Sequence, residues 1–134
     1  SRHEWRGDEL VAVHENLHDG QLSTDGERVG LADFDRLAAG SPLIDLANLT
    51  SHMVLRGLQE AGDCDPATVE ECGVALLKGY GLDDDPAVLQ EMRAHQTAAI
   101  LRLALVHTVR PRWWGLPNDL TRHADRFIGE LQLP

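Results

Sequence analysis

The sequence predicts an α+β domain that is mainly helical, with a small β-hairpin region near its start. Three short apolar runs between Leu10 and Ala32 are separated by a polar loop and by the turn pair Asp25-Gly26, which is typical of short strands. From Pro42 onward, apolar residues recur at the spacing of amphipathic helices. Aromatic residues make up only 4% of the 134 residues, so leucine and alanine must fill the interior, which favours helices.

The composition fits one soluble domain, with 43% apolar and 25% charged residues. We expect a single domain over residues 1–134, in which residues 11–46 carry the polar loops and residues 42–134 form the helical region. The formal net charge of -10 argues against nucleic acid or an anionic membrane as a partner. It would suit a cationic small molecule, but acidity is also the commonest way for a soluble protein to stay dispersed. The chain has no apolar run near the roughly 20 residues of a membrane span. With no signal-peptide core and only two cysteines, we expect a cytoplasmic location.

The first elements are short strands. Residues 11–13 should form a strand that leads into the polar segment HENLHDGQ. Residues 21–23 should pair with residues 29–31 through the Asp25-Gly26 turn, because glycine tolerates the positive φ that a tight hairpin requires. This hairpin would bring the acidic tip at residues 33–35 opposite the polar loop.

Four helices should follow, over residues 42–58, 66–78 and 87–109 and from residue 118 or 119 to 131. Ser41 and Asp65 are the expected N-caps of the first two helices, and Asn118 or Asp119 caps the fourth. Asp83, Asp84 and Asp85 suit the start of the third helix, where the dipole favours negative charge. The expected inward residues of the second helix are Val69, Cys72, Val74, Ala75 and Leu76. Trp113 and Trp114 are expected to pack on the core.

A local motif offers one functional interpretation. Residues 14–18 match H-E-x-x-H, which on a helix places two imidazoles on one face to bind Zn²⁺ with the glutamate as general base. Here Asp19-Gly20 follows at once and strands come next, so the helix is not predicted. The longer metzincin form would need glycine at Gln21 and histidine at Thr24. A zinc hydrolase therefore stays as the alternative hypothesis, with a third ligand from Glu60, Glu70 or Glu71. His52, His95, His107 and His123 show no ligand spacing and are expected to be surface or packing residues.

A longer pattern resembles a family. Residues 13–22 read VHENLHDGQL, residues 32–35 read ADFD, and residues 40–47 read GSPLIDLA. These three blocks, in this order and at these separations, resemble the V-H-G-D-L-H-P-G-N-V-L, I-D-F-[DE] and G-D-P-x-x-D-L-A motifs of the aminoglycoside phosphotransferase and choline kinase superfamily. The motifs cover about a quarter of the chain. The resemblance implies the C-terminal lobe of a protein-kinase-like fold, with the hairpin region at the catalytic loop.

The resemblance also implies roles for individual residues. The family's catalytic aspartate, metal-binding asparagine and metal-binding aspartate correspond to Asn16, Gln21 and Asp33. His14 and His18 would brace the catalytic loop, and Asp45 would fix it by hydrogen bonds. Mg²⁺ and ATP are the implied cofactors, with Asp33 and Gln21 as weak or lost metal ligands. Ser41 replaces the aspartate of G-D-P.

The departures from the family pattern predict an inactive chain. Asn16 cannot accept a proton as a carboxylate does, and Gln21 places its amide oxygen one methylene farther out. The glycine-rich hairpin and the lysine-bearing strand of the nucleotide-binding N-terminal lobe have no counterpart in this sequence, whose one lysine is Lys78. We therefore expect a piece of a longer protein, or a chain completed by another chain or by a second copy. A noncatalytic module that binds a ligand or a protein is the third hypothesis.

Overall fold

The computed structural model describes residues 9–59, 65–82, 85–109 and 116–131. In this part of the chain, four three-residue strands and one 3-10 turn precede four helices. The strands are β1 (Val11–Val13), β2 (Leu22–Thr24), β3 (Val29–Leu31) and β4 (Ala38–Gly40), and the 3-10 turn is Asp19–Gln21. The helices are α1 (Leu43–Gln59), α2 (Pro66–Tyr80), α3 (Pro86–Thr108) and α4 (Leu116–Glu130). The protein is thus mainly helical with a small β region, as the sequence predicts.

The strands form two antiparallel pairs. β1 pairs with β4, so that Val11 faces Gly40 and Val13 faces Ala38. β2 pairs with β3, and Leu22 faces Leu31. Both the strand at residues 11–13 and the hairpin are confirmed. β2 begins one residue later than predicted because Gln21 closes the 3-10 turn.

The hairpin turn is longer than a tight two-residue turn. Residues 25–28 form the loop between β2 and β3, and Gly26 adopts a φ of 97°. The Asp25 carboxylate accepts the backbone N–H groups of Glu27 at 3.0 Å and Arg28 at 2.8 Å. The glycine and the aspartate therefore act as predicted, because one supplies positive φ and the other satisfies the turn's donors.

Local capping signals set most helix ends. Ser41 Oγ accepts the N–H of Leu43 at 3.3 Å, and Asp65 Oδ1 accepts that of Thr68 at 2.9 Å. Asp85 Oδ1 accepts the N–H of Ala87 at 2.8 Å. Gly81, with a φ of 84°, ends α2 in the left-handed conformation. The predicted caps of the first three helices are confirmed.

The start of the fourth helix was predicted wrongly. α4 begins at Leu116, so Asn118 and Asp119 lie inside its first turn and Asp119 adds negative charge near the N-terminus instead of capping it. The leucine-proline pair opens this helix, because proline is favoured in a first turn. The predictions for Asp83, Asp84, Trp113 and Trp114 fall outside the described residues.

The core consists of two clusters joined by α1. The first cluster lies where the end of α1 meets α3 and α4, and it contains Leu55, Ile100, Leu103, Ala104, Leu116, Leu120, Ala124 and Phe127. The second lies where the start of α1 meets α2 and the start of α3, and it contains Leu43, Leu46, Ala47, Leu77, Leu82 and Met92. Because α1 contributes to both, it is the structural link between the β region and the helices.

The buried face of α2 differs from the prediction. Leu77 is its one fully buried residue among those described, whereas Val74 is 52% exposed and Ala75 is exposed. Val74 lines an open groove of about 490 Å³ between α2, α3 and α4. Part of the apolar side of α2 therefore faces this groove and is not buried in the core.

Candidate functional site

The polar loop after β1 is fixed by one carboxylate from α1. Asp45 Oδ2 accepts the backbone N–H of His14 at 2.7 Å, and Asp45 Oδ1 accepts that of Glu15 at 2.9 Å. Hydrogen bonds to an ionised acceptor are stronger than neutral ones. The predicted role of Asp45 in fixing this loop is confirmed, and the interaction spans about thirty residues of sequence.

His14 connects the same loop to the acidic tip. Its ring is buried, and Nε2 lies 2.8 Å from the carbonyl oxygen of Ala32, which makes Nε2 the protonated nitrogen in this contact. The imidazole also lies against the ring of Phe34, with centroids 5.4 Å apart. His14 therefore braces the loop, as the sequence predicts, and it holds the residue that immediately precedes Asp33.

Two residues of the site adopt backbone angles that favour glycine. Glu15 has a φ of 64° and Asp33 a φ of 63°, and they are the two non-glycine residues with positive φ in the described chain. Such conformations cost on the order of 1–2 kcal/mol for an ordinary side chain. They cluster at functional sites more often than elsewhere.

Asn16 lies half-buried at the turn that His14 and Glu15 begin. Within the described part of the chain, its side chain has no hydrogen-bond partner, so the amide is free to meet a ligand. The carbonyl of the next residue, Leu17, accepts a bond of 2.7 Å from Asn48 Nδ2. Arg102 in turn donates to Asn48 Oδ1 at 2.5 Å, which ties the loop to α1 and α3.

Gln21 and Asp33 are brought together, as the resemblance implies for two metal ligands. Gln21 Nε2 donates to Asp33 Oδ2 at 3.2 Å, and Gln21 is buried whereas Asp33 is exposed. Gln21 Oε1 is buried with no hydrogen-bond partner in the described chain. Because the amide nitrogen faces the carboxylate, the Gln21 amide must turn over before Oε1 and Asp33 Oδ2 can face one cation together.

His18 does not join His14. Its Nδ1 accepts the N–H of Gly20 at 3.1 Å, which caps the 3-10 turn, and its ring stacks on His52 with centroids 4.9 Å apart. Residues 14–18 contain no helix, so the geometry that H-E-x-x-H needs for zinc is not present. The predicted absence of a helix here is confirmed.

His52 joins the polar loop from α1. Its stacking on His18 fits the expected packing role, and His18, Asp19 and His52 also place one ligand atom each within 4.8 Å of one another. Burial, and then the charge of His18, lower the pKa of His52 to about 4. No spacing signal could have revealed this cluster, because α1 brings His52 to the loop from more than thirty residues away.

A cavity of about 320 Å³ adjoins the polar loop, between the loop and the helices α1 and α3. Charged and polar residues of both signs line it: Glu15, Arg36, Asn48, His95 and Arg102. Arg36 Nε lies 3.9 Å from Glu15 Oε2 at its edge. The cavity has the size and polarity for a small hydroxylated molecule.

Comparison gives no relative from which to infer a role. Searches against family models, curated proteins and solved structures found no match for this chain. Among the described residues, no helix combines the length and the apolar character needed to cross a membrane. Any functional assignment therefore rests on the geometry above.

The two implied cofactors fit this geometry unequally. Asp33 and Gln21 provide two oxygens for Mg²⁺ once the glutamine amide is turned, but a single carboxylate makes a weak site. For ATP, no lysine or glycine-rich hairpin of the described chain lies beside this pair, since Lys78 is on the exposed side of α2. Within the described residues, this pair offers oxygen atoms that suit Mg²⁺, and no group of the kind that holds nucleotide phosphates lies beside it.

Proposed function

We propose that this chain is the C-terminal lobe of a small-molecule kinase of the aminoglycoside phosphotransferase and choline kinase type, in which the loop scaffold is kept and the catalytic groups are changed. One observation carries the proposal. The three separate sequence blocks of the resemblance meet in space through hydrogen bonds, with Asp45 and Ala32 both bonded to His14.

The hydrogen bonds among the three blocks support the proposal, because similarity in sequence alone does not require the blocks to touch. The first block bonds to the second through His14 and Ala32, and again through Gln21 and Asp33. The first block bonds to the third through Asp45. A chance match of short motifs would leave these residues in unrelated places.

The backbone at Glu15 supports the same interpretation. Glu15 stands where the family pattern H-G-D has glycine, and its φ of 64° is one that glycine adopts freely. The chain thus keeps the backbone shape of the motif after losing its glycine. We infer that the backbone conformation of the loop is kept although the glycine of the family pattern is replaced by Glu15.

The changed residues determine what the site can do. In phosphoryl transfer, Mg²⁺ neutralises charge on the phosphates, and an acidic residue orients the acceptor hydroxyl and accepts its proton. Asn16 can hold a hydroxyl by a hydrogen bond but cannot take its proton. Asp33 and Gln21 can hold a divalent ion weakly. The proposed outcome is a site that holds a hydroxylated molecule without phosphorylating it.

A binding module without catalysis is the second candidate, and the free side chain of Asn16 favours it. In this version the 320 Å³ cavity holds its ligand for recognition alone. The two candidates differ in origin rather than in present chemistry, because both predict binding without turnover.

The test is phosphoryl transfer by the whole 134-residue chain. ATP consumption should not rise above background with any member of a panel of aminoglycosides and amino alcohols. Asn16→Asp should not restore turnover, because the phosphates would still lack donors to hold them. Acceptor-dependent turnover that Asp33→Ala abolishes would overturn the claim that the catalytic groups are lost.

A further inference from the structure

A second group of potential ligand atoms lies at the end of the polar loop, and the proposed function gives it no metal-binding role. His18 caps the 3-10 turn, Asp19 begins it, and His52 lies on α1, which packs against it. One nitrogen or oxygen atom from each side chain lies within 4.8 Å of the other two. Ligand atoms around one ion lie closer together than this, because metal–ligand distances are about 2.0–2.2 Å. Small rotations of the side chains would bring the three atoms to that spacing.

Asp19 supplies an independent observation. Arg56 Nε donates to Asp19 Oδ2 at 2.7 Å, but Asp19 Oδ1 is buried and has no hydrogen-bond partner in the described chain. The Asp19 side chain as a whole is 38% exposed, but this one oxygen is shielded. An ion bound there would satisfy an acceptor that no described residue satisfies. Arg56 acts here as an outer support that fixes the carboxylate while leaving its second oxygen available.

The two histidines differ in how ready they are to bind a metal. His52 is half-buried with its ring stacked on that of His18, and it makes no hydrogen bond within the described part of the chain, so its ring nitrogens are available to a ligand. His18 Nδ1 already accepts the N–H of Gly20, so Nε2 carries the ring proton. Binding at Nδ1 displaces the Gly20 N–H, and binding at Nε2 moves the ring proton to Nδ1, so either route gives up this hydrogen bond. Arg56 and Arg102 also lie close enough to affect the charge of His52 and oppose a cation.

We propose that His18, Asp19 and His52 form a binding site for Zn²⁺ or a similar transition-metal ion. Two imidazoles and one carboxylate make a ligand set that suits this class of ion and leaves a coordination position open. The site would fasten the 3-10 turn to α1. It differs from the H-E-x-x-H hypothesis, because His14 is turned toward Ala32 and takes no part. Because Arg56 and Arg102 oppose a cation here, we expect an affinity weaker than that of a structural zinc site.

The experiment is a calorimetric titration of the metal-stripped whole chain with zinc chloride, repeated with Co²⁺, whose visible absorption reports its ligand geometry. The expected result is one equivalent of Zn²⁺ bound. His52→Ala and Asp19→Asn should each lower the affinity by about tenfold or more. His95→Ala, on α3 and outside the cluster, is the matched control and should bind as the unmodified chain does.

Three outcomes would overturn the site. They are no saturable zinc binding up to about 100 µM metal, binding that His52→Ala and Asp19→Asn both leave intact, and binding lost in His14→Gln but kept in His52→Ala. The last result would return the zinc to the H-E-x-x-H motif. Circular dichroism of each variant separates ligand loss from unfolding. If His52→Ala does not fold, Asp19→Asn, whose side chain has nearly the same shape, decides the question.

Discussion

Glu15 stores backbone strain at the centre of the proposed site. Its φ of 64° is in the left-handed region, and its nearest charged partner, Arg36, is 3.9 Å away and solvent-exposed, so the ion pair offsets little of the cost. Glycine would adopt the backbone conformation of Glu15 at a lower energetic cost.

We predict that Glu15→Gly stabilises the protein. Relief of the left-handed strain is worth about 1–2 kcal/mol, and the greater freedom of glycine in the unfolded chain removes about half of that gain, leaving about 0.5–1 kcal/mol. Denaturant unfolding measures the change. Glu15→Ala is the control, since it removes the ion pair but keeps the strain, and an equal gain from alanine would refute this explanation.

Asp45 holds the loop by two charge-assisted hydrogen bonds, to His14 and Glu15. Asp45→Ala leaves both N–H groups without this acceptor and should lower the free energy of unfolding by about 2–4 kcal/mol. Asp45→Asn keeps one acceptor oxygen and should lose roughly half as much. Asp125→Ala, on the exposed side of α4, should change stability little. Equal losses in Asp45→Ala and Asp125→Ala would contradict the role given to Asp45.

At the scale of the elements, α1 has two functions. Its first turn carries Asp45, which fixes the polar loop, and its later turns carry Asn48 and His52, which contact Leu17 and His18. The side of α1 that does not face the loop enters both core clusters. Loop geometry and core packing are therefore coupled through a single helix.

The contact between α3 and α4 gives a direct test of the core. Leu120 is fully buried among residues of α1 and α3, so Leu120→Ala should lower the free energy of unfolding by about 2–5 kcal/mol. Leu105→Ala is the same substitution on α3 at a side chain that is 74% exposed, and it should cost less than about 0.5 kcal/mol. Thermal unfolding of both variants would show whether the cluster carries this part of the fold.

Helix and strand positions could be predicted because their signals are local. At the start of α2 the Asp65 side chain accepts the N–H of Thr68, and at its end Gly81 donates its N–H to carbonyls of the last turn. The Asp25-Gly26 pair marks the hairpin, where Gly26 has positive φ. The buried face of α2 could not be predicted, because Val74 and Leu77 are equally apolar and only the groove between the helices decides which is exposed. The start of α4 was missed because a leucine-proline opening carries no capping side chain.

At the scale of the whole molecule, the sequence motifs predicted part of the site. His14, Gln21, Asp33 and Asp45, which the three linked motifs single out, lie in one hydrogen-bonded region of the structure. The roles that the resemblance implies for them stay predictions. His52 and Arg102 reach the loop only through the packing of α1 and α3, and no spacing in the sequence indicates this. The net charge of -10 suits a cationic ligand, whereas the cavity beside the loop contains two arginines. The charge of any ligand stays a prediction. Overall charge does not describe a local site.

The central claim is that Gln21 and Asp33 are the remnant of a kinase metal site, and binding of Mn²⁺ in place of Mg²⁺ tests it most directly. The measurement is an electron paramagnetic resonance titration of the whole chain in a His52→Ala background, which removes the other proposed ligand cluster. Asp35→Ala is the matched control, because Asp35 is exposed two residues away from Asp33. The account predicts saturable binding with a dissociation constant on the order of a millimolar, which Asp33→Ala abolishes and Asp35→Ala leaves unchanged. No saturable binding, or equal losses from the two substitutions, would contradict it.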